Sequence, residues 1–390
     1  MEASLKKDIL TIFPTGKINT YTSIEVEKEI NDLCEANDFE QLVLDVDKVE
    51  YFSSAGLRIL LRLKKKYGVL KIVNASPLVY EVMDMTGFTE IIPVEKAYRK
   101  ISVEGCPVLG KGAKGTVYRI DPETIVKVYY TPDSVDEIHK ERELARTAFI
   151  LGVPTAISYA VVKVDEYYGS VFELLNATSI SKMLQDDSTT VEACVKLSID
   201  LLKLIHATEV EEGQMPPILD KMIKRARAIL PYLPDASGQK LLELMEAIPD
   251  DHHMIHGDYH MKNVMVQNGE PLLIDMDTIC YGHPIFELSF MYTAYIGFGE
   301  WNSEELASFF DLPVNIITVF WKRSLAMYLN SDDPARVEEV EKKAAVLSYV
   351  RLMERMVRKS LIHSDQGQAE FEYYRKKLIS YLDEISELTF

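Results

Sequence analysis

The sequence is short of cysteine, of positive charge and of long apolar runs, and each shortage excludes a class of protein. Its four cysteines, Cys34, Cys106, Cys194 and Cys280, are scattered over 390 residues with no close pair. Neither a disulfide framework nor a zinc site is therefore expected, and the four read as thiols of a reducing compartment. Lys and Arg number 43 against 61 Asp and Glu, a formal net charge of −18, whereas a nucleic-acid binder would carry a basic patch or stripe. No run approaches the roughly 18 apolar residues of a membrane span, and the opening Met1-Glu2-Ala3-Ser4-Leu5-Lys6-Lys7-Asp8 lacks the apolar stretch of a signal peptide. A cytoplasmic protein that binds neither membrane nor nucleic acid is expected. What is present, 47% hydrophobic residues, suffices for large cores and two or three domains.

The most informative stretch is His256-Gly257-Asp258-Tyr259-His260-Met261-Lys262-Asn263. It is a polar turn followed by apolar Val264-Met265-Val266, a Gln267-Asn268-Gly269 turn, and Leu272-Leu273-Ile274-Asp275. This pattern places an aspartate, an asparagine and a second aspartate at the ends of a short β-hairpin. Phosphoryl transfer from a nucleotide needs such a trio: one carboxylate to orient or deprotonate the attacking hydroxyl, and an amide oxygen plus another carboxylate to hold Mg²⁺ on the phosphates. Asp258 fits the first role, Asn263 and Asp275 the second. Asp277 is an alternative or additional ligand, with Asp275 preferred because it follows the strand directly.

Upstream, Gly110-Lys111-Gly112-Ala113-Lys114-Gly115 lies between apolar stretches, followed after an Asp121-Pro122 turn by Ile125-Val126-Lys127-Val128-Tyr129. A dinucleotide-binding fold would need a helix after the glycines. Here β-branched and aromatic residues follow instead, so the pattern is strand, glycine loop, strand, turn, strand. Gly110, Gly112 and Gly115 then let the backbone approach nucleotide phosphates, and Lys127 occupies the V-x-K context of a phosphate-contacting lysine. Ser134 and Glu137 read as a capping box opening a helix. On that helix Glu141 shares a face with Leu144, Ala145 and Ala148, so a buried ion pair with Lys127 is expected, with Glu143 as the alternative.

HGDYHMKN followed by LLIDMD resembles the catalytic and metal-binding loops of the aminoglycoside phosphotransferase and choline kinase superfamily, relatives of protein kinases. The resemblance implies a two-lobed kinase-like fold, ATP and Mg²⁺ as cofactors, and a hinge at Phe172-Glu173-Leu174-Leu175 where backbone groups take the adenine edge, with Phe172, Glu173 and Leu175 at the nucleotide. Departures from regulated protein kinases are the short segment after Asp275, Gly257 where their arginine precedes the catalytic aspartate, and the absence of an A-P-E end. Glu287 stands where the phosphotransferases commonly have aspartate.

The first hundred residues alternate strand and helix patterns. Ile9 to Phe13, Leu42 to Leu44, Val69 to Val73 and Ile91-Ile92 read as strands. Helices are expected after a Thr22–Glu25 capping box, after Ser53-Ser54 with Leu57, Leu60 and Leu61 on one face, and over Pro77 to Met85. VDKVEYFSSAGLRILL and VMDMTGF resemble the STAS domain of bacterial anti-sigma-factor antagonists. That resemblance implies a docking or regulatory module with a protein partner, and makes Ser54 a candidate phosphosite. A phosphate there would add about −1.5 to −2 charges at a helix N-terminus. Many phosphorylated members have aspartate where this chain has Ser53, and a plain helix N-cap is the other reading of the two serines.

The expected fold class is thus α/β and α+β: a STAS-like α/β sheet domain over 1–98, a β-rich kinase-like N-lobe over 99–178, and a helical C-lobe over 179–390. His206, His252, His253 and His260 lack metal-ligand spacing and read as structural. The aromatic and methionine stripes at Trp301, Trp321, Tyr328, Tyr349 and Met353 to Met356 read mainly as core. The expected function is transfer of the ATP γ-phosphate to a hydroxyl of a small molecule, such as an aminoglycoside, choline-like or thiamine-like alcohol, or sugar. The alternatives are a protein serine kinase acting on Ser54 of its own or another STAS domain, and a nucleotide-sensing scaffold with little turnover.

Overall fold

The computed structural model describes residues 1–132, 134–186 and 189–390. They form two compact units, residues 1–102 with 161–166, and residues 103–160 with 167–390. In the first unit, β1 (Glu2–Lys6), β2 (Ile9–Phe13), β4 (Gln41–Asp45), β6 (Leu70–Ala75) and β7 (Val94–Lys96) make one sheet in the order β1-β2-β4-β6-β7. Only β1–β2 is antiparallel. The run Leu42-Val43-Leu44 is buried because a central parallel strand is covered on both faces. Short strands β3 (Gly16–Ile18) and β5 (Val49–Phe52) pair separately. Helices α1 (Ser23–Glu35), α2 (Ser54–Tyr67) and α3 (Pro77–Met85) contribute Ile30, Leu57, Leu60, Leu63 and Met83 to the common core.

Three local expectations change. Thr22 does not cap α1: its own backbone is already near-helical, and its hydroxyl donates to Lys17 O at 2.6 Å instead. Leu61 is exposed, and Ile59 and Leu63 complete the buried stripe of α2. Ile91-Ile92 is not a strand. A 3₁₀ turn over Phe88–Glu90 drops Ile92 into the core, and pairing begins at Val94.

The second unit opens with an antiparallel sheet of β9 (Val108–Lys111), β10 (Gly115–Arg119), β11 (Thr124–Tyr129) and β13 (Tyr167–Glu173). Within the first unit, Val162 and Lys163 of β12 (Ala160–Val164) pair in parallel with Arg99 and Lys100 of β8 (Arg99–Lys100). Helix α4 (Val135–Ile150) buries Ile138, Glu141, Leu144, Ala145 and Ala148, the stripe expected from its spacing. Its Ser134 makes no side-chain cap, since the residue is already in the helical region.

Beyond β14 (Thr178–Ser179) the chain is mainly helical: α5 (Ile180–Gln185), α6 (Val191–His206), α7 (Leu219–Ile229) and α8 (Asp235–Glu246) precede the catalytic stretch. Short strands β15 (Met254–Ile255) and β18 (Cys280–Tyr281) bracket it, and β16 (Val264–Gln267) with β17 (Glu270–Leu273) form the hairpin inside it. Then follow α9 (Ile285–Tyr292), α10 (Phe298–Trp301), α11 (Ser303–Phe310), α12 (Val314–Leu329), α13 (Pro334–Arg358) and α14 (Asp365–Glu384). Helix α13 is the spine of this part, packing on α7, α9 and α14. Its Tyr349, Met353 and Met356, and Trp321 of α12, are core. Among the described residues no helix is long and apolar enough to cross a membrane.

Candidate active site

The catalytic stretch is shaped by backbone contacts that leave its polar side chains turned into a cleft. Glu287, at the start of α9 and fully buried, accepts the His256 N–H at 2.5 Å and the Gly257 N–H at 3.1 and 3.2 Å with its two oxygens. The Thr278 hydroxyl donates to His256 O, the Tyr295 hydroxyl accepts from Met261 N–H, and buried Tyr259 donates to Ser198 O at 2.5 Å. Gly257 has φ +82°, and a Cβ there would lie 2.5 Å from Thr278 O. An arginine of the protein-kinase kind cannot stand at this position without moving the loop. The glycine is thus a requirement of this backbone.

Asp258 emerges from that loop into a cavity of about 370 Å³. Burial pushes its carboxyl up, but the imidazole of His260, with Nε2 3.6 Å from Oδ2, and the positive charge of Arg351 outweigh it and hold the group down at about 2. Asn263 donates its amide to Asp258 O at 2.9 Å, while its backbone carbonyl accepts from Ile274 N–H at 3.0 Å. Its position is therefore tied to both Asp258 and the strand that delivers Asp275. Asp275 takes a left-handed conformation, φ +63°, an uncommon geometry that Asp tolerates better than most residues.

From the opposite wall, Lys127 in the middle of β11 reaches Asp275 Oδ1 at 2.7 Å and Glu141 Oε1 at 3.2 Å. Burial opposes the Lys127 ammonium, but the two carboxylates outweigh it and keep it charged well above its ordinary range. Glu141 Oε2 also accepts from the Tyr129 hydroxyl at 2.7 Å. A charged group this deeply placed is tolerable only with such partners. Glu143 is not part of this arrangement. Lys114 of the glycine loop contacts Asp277, so the two aspartates after β17 face two different lysines.

Gly112 and Gly115 line the cavity, whereas Gly110 lies within β9 and does not. A Cβ on Gly115 would sit 2.3 Å from Val128 O, so that glycine is needed for strand packing itself. A Cβ on Gly112 would make only an ordinary contact, 3.8 Å from Gly115 O. Phe172, Glu173 and Leu175 line the same cavity from β13 and the residues after it.

The donor set suits a hard cation that keeps ligands from elsewhere. Asn263 spends its NH₂ on Asp258 O, which leaves the amide oxygen for a cation beside the Asp275 carboxylate. Among the described residues no cluster of three or more His, Cys, Asp or Glu side chains forms a self-sufficient metal cage. Magnesium is commonly held this way, by one or two protein oxygens plus phosphates and water.

Three features of the site escaped the sequence reading. Arg351, on α13, is more than ninety positions from Asp258 and belongs to no local motif. Lys114 was visible only as one basic residue in a glycine loop. His260 lies beside Asp258, Nε2 3.6 Å from Oδ2, with its ring against Phe309 and Phe310, whereas a purely structural role was expected. His206 Nδ1 meets the Tyr328 hydroxyl at 2.7 Å, a packing contact of the kind a structural histidine makes.

The phosphotransferase enzyme family matches residues 105–312, more than half of the chain. The chain belongs to the phosphotransferase enzyme family. Residues 1–101 match the STAS domain, so this member carries a STAS domain ahead of its phosphotransferase region. Over 83 residues the chain is 32% identical to a Bordetella bronchiseptica protein assigned as the anti-sigma factor antagonist BtrV, covering 20% of this chain and 71% of that protein. It is 22% identical over 98 residues to the anti-sigma F factor antagonist of Paenibacillus polymyxa, 24% of this chain and 84% of that one. Among solved structures it is similar to ADP-bound aminoglycoside phosphotransferase APH(2'')-Ib, with 13% identity, 76% of this chain and 98% of that chain covered, and a TM-score of 0.49. It is also similar to a choline/ethanolamine kinase family protein from Mesorhizobium loti, with 12% identity, 72% and 94% covered, and a TM-score of 0.44.

Proposed function

We propose that the second unit transfers the γ-phosphate of ATP, with Mg²⁺, to a hydroxyl of a small molecule, and that the STAS domain docks a regulatory protein partner. The observation that carries this reading is the convergence of Asp258, Asn263, Asp275 and Lys127 on one cavity with the glycine loop. In this reading Asp258, ionised at any neutral pH, orients the acceptor hydroxyl and takes its proton as the bond to phosphorus forms. Lys127 exchanges part of its contact with Asp275 for the phosphates and remains anchored by Glu141. Asn263 and Asp275 would hold Mg²⁺, which would supply positive charge against the phosphates. Phe172 and Leu175 shield the adenine from water. Catalysis is then mainly positioning and electrostatics.

Transfer from labelled ATP with Mg²⁺ to a pool of hydroxyl metabolites and aminoglycosides tests it. Asp258→Ala is expected to lose on the order of 10²–10⁴ in turnover, the range of a general base, while still binding nucleotide. An Asp258→Ala protein that turns over normally would sink the assignment.

A second reading has one observation in its favour. Ser53 is the N-cap of α2, its hydroxyl accepting the Ala55 and Gly56 N–H groups, whereas Ser54 is exposed at the first helical position. Ser54 is thus free to act as a phosphate acceptor on a helix N-terminus. Label that stays on the protein and vanishes in Ser54→Ala would favour a serine kinase acting on a STAS domain.

A further inference from the structure

A second cavity, of about 390 Å³, lies between α7 and α13, and its walls are basic. Lys221, Lys224, Arg225 and Ala228 occupy positions i, i+3, i+4 and i+7 of α7, one stripe of a helix. Facing them, Arg351, Glu354, Arg355 and Arg358 form the corresponding stripe of α13, with Glu354 and Arg358 in the cavity wall. A charged helical stripe is ordinarily a solvated face. Here Lys221, Lys224, Ala228 and Arg358 are exposed, Arg225 is half-buried and Glu354 is buried, so the two stripes form an open basic groove between packed helices, in a chain where acids outnumber bases 61 to 43.

The charges in this groove are poorly balanced. Glu354 is the one carboxylate in its wall, and it is already engaged by Arg358 at 2.8 Å and Arg225 at 3.8 Å. Among the described residues no carboxylate stands in ion-pair range of Lys221, Lys224 or Arg351. Desolvation and the nearby guanidinium of Arg225 hold the Lys221 ammonium below its ordinary value, and desolvation and Arg351 do the same to Arg225. Packed like charges of this kind cost stability unless an anion relieves them.

Arg351 stands between the groove and the Asp258 cavity, close enough for its charge to act on both Lys221 and Arg225. Arg351 lines the catalytic cavity with Asp258, its guanidinium stacked over Phe290 at 4.5 Å. Glu354 begins the groove wall about 4.5 Å farther along α13, less than one helical turn. The two cavities share no lining residue, and an acceptor reaching from Asp258 past Arg351 would bridge them.

Resting on the phosphotransferase reading above, we infer that the acceptor is an anionic alcohol, its phosphate or carboxylate group held by Arg351, Lys221, Lys224 and Arg225 while its hydroxyl faces Asp258. Oxyanions match these forks and point charges. Cationic alcohols such as choline or an aminoglycoside meet repulsion on the same path.

The test is equilibrium binding to the full chain, saturated with Mg²⁺ and a non-hydrolysable ATP analogue, alongside turnover with Mg²⁺-ATP. Glycerol 3-phosphate and fructose 6-phosphate probe the phosphate form, glycerate the carboxylate form, and choline and kanamycin the opposite charge. Saturable binding of the phosphate or carboxylate probes is expected, and whichever binds more tightly names the anionic group. In Lys221→Ala/Lys224→Ala, at two exposed positions, acceptor affinity is expected to fall about 10- to 100-fold for the lost charge-assisted contacts, with the ATP KM held. Absence of binding by all three anionic probes overturns the inference, as does binding that the double variant leaves unchanged or a preference for choline or kanamycin. Binding of an anionic alcohol without transfer supports the groove and counts against the phosphotransferase reading alone.

Discussion

Replacing Glu287 by Ala removes the acceptor that fixes the backbone just ahead of Asp258. Its carboxylate is fully buried and takes the N–H groups of His256 and Gly257. Each buried N–H left without an acceptor costs about 1–3 kcal/mol, so the pair accounts for about 2–6 kcal/mol. Part is offset, because the variant no longer buries a carboxylate. A net loss of about 2–4 kcal/mol is expected, which for a unit of this size lowers Tm by roughly 5–15 °C. The same change frees the catalytic loop, and a displacement of about 1 Å at the reacting groups is enough to reduce turnover on the order of 100-fold. Differential scanning calorimetry with and without ADP identifies the transition that nucleotide raises, and steady-state kinetics gives kcat. Glu287→Gln keeps one carbonyl acceptor and should lose about half as much stability. Glu287→Asp keeps the charge and separates its effect from that of length. An Ala variant that melts within about 1 °C of wild type with unchanged kcat would refute the assignment of Glu287 as the loop's anchor.

Lys127→Met leaves Glu141 buried without its cation, so a stability loss of about 3–5 kcal/mol should accompany the loss of turnover; an inactive variant with wild-type Tm would show that Lys127 acts on nucleotide alone. Glu300, within reach of the Tyr292 and Tyr349 hydroxyls, has its carboxyl pushed up by burial against those hydrogen bonds. Its folded-state value therefore lies above the unfolded one, and its contribution is full below about pH 4.3 and lost as pH rises through the folded value. Glu300→Gln should consequently gain Tm relative to wild type at pH 7 more than at pH 4, and parallel Tm–pH curves would contradict this. Cys34, Cys194 and Cys280 are buried, with thiols pushed up by burial, Cys194 to about 11. Iodoacetamide should modify the half-buried Cys106 first and the other three only on unfolding, and mass spectra showing equal early labelling would refute that.

Much of the site was legible because its parts are contiguous. A motif in which Asp258 and Asn263 lie five residues apart, followed by a hairpin and Asp275, fixes three side chains through local backbone geometry alone. The Lys127–Glu141 contact joins two elements, yet both ends were constrained: one lies mid-strand, the other on an apolar helix face that cannot bury an unpaired acid. The errors arose where a local signal competed with a neighbour. Thr22 and Ser134 have the residue types of caps, but both sit one step too far into helical geometry for the hydroxyl to reach back. Leu61 fits an apolar helical pattern as well as Leu60 does, and only packing against the sheet decides which faces in.

The acceptor side was illegible for a different reason. Its basic stripes lie on α7 and α13, over 120 residues apart in the chain, and each alone reads as an ordinary charged helix. Composition pointed the other way, since a net charge of −18 describes the average surface. A protein can be acidic overall and still present a concentrated positive potential where two helices meet around a cavity, because low-dielectric walls focus the field of a few cations. A locally basic acceptor site is compatible with the acidic average for that reason. Arg351 stands at the junction, attracted to Asp258 on one side and crowded by Arg355 on the other. An oxyanion on the acceptor would relieve that crowding, and the same contact would bring the hydroxyl toward Asp258.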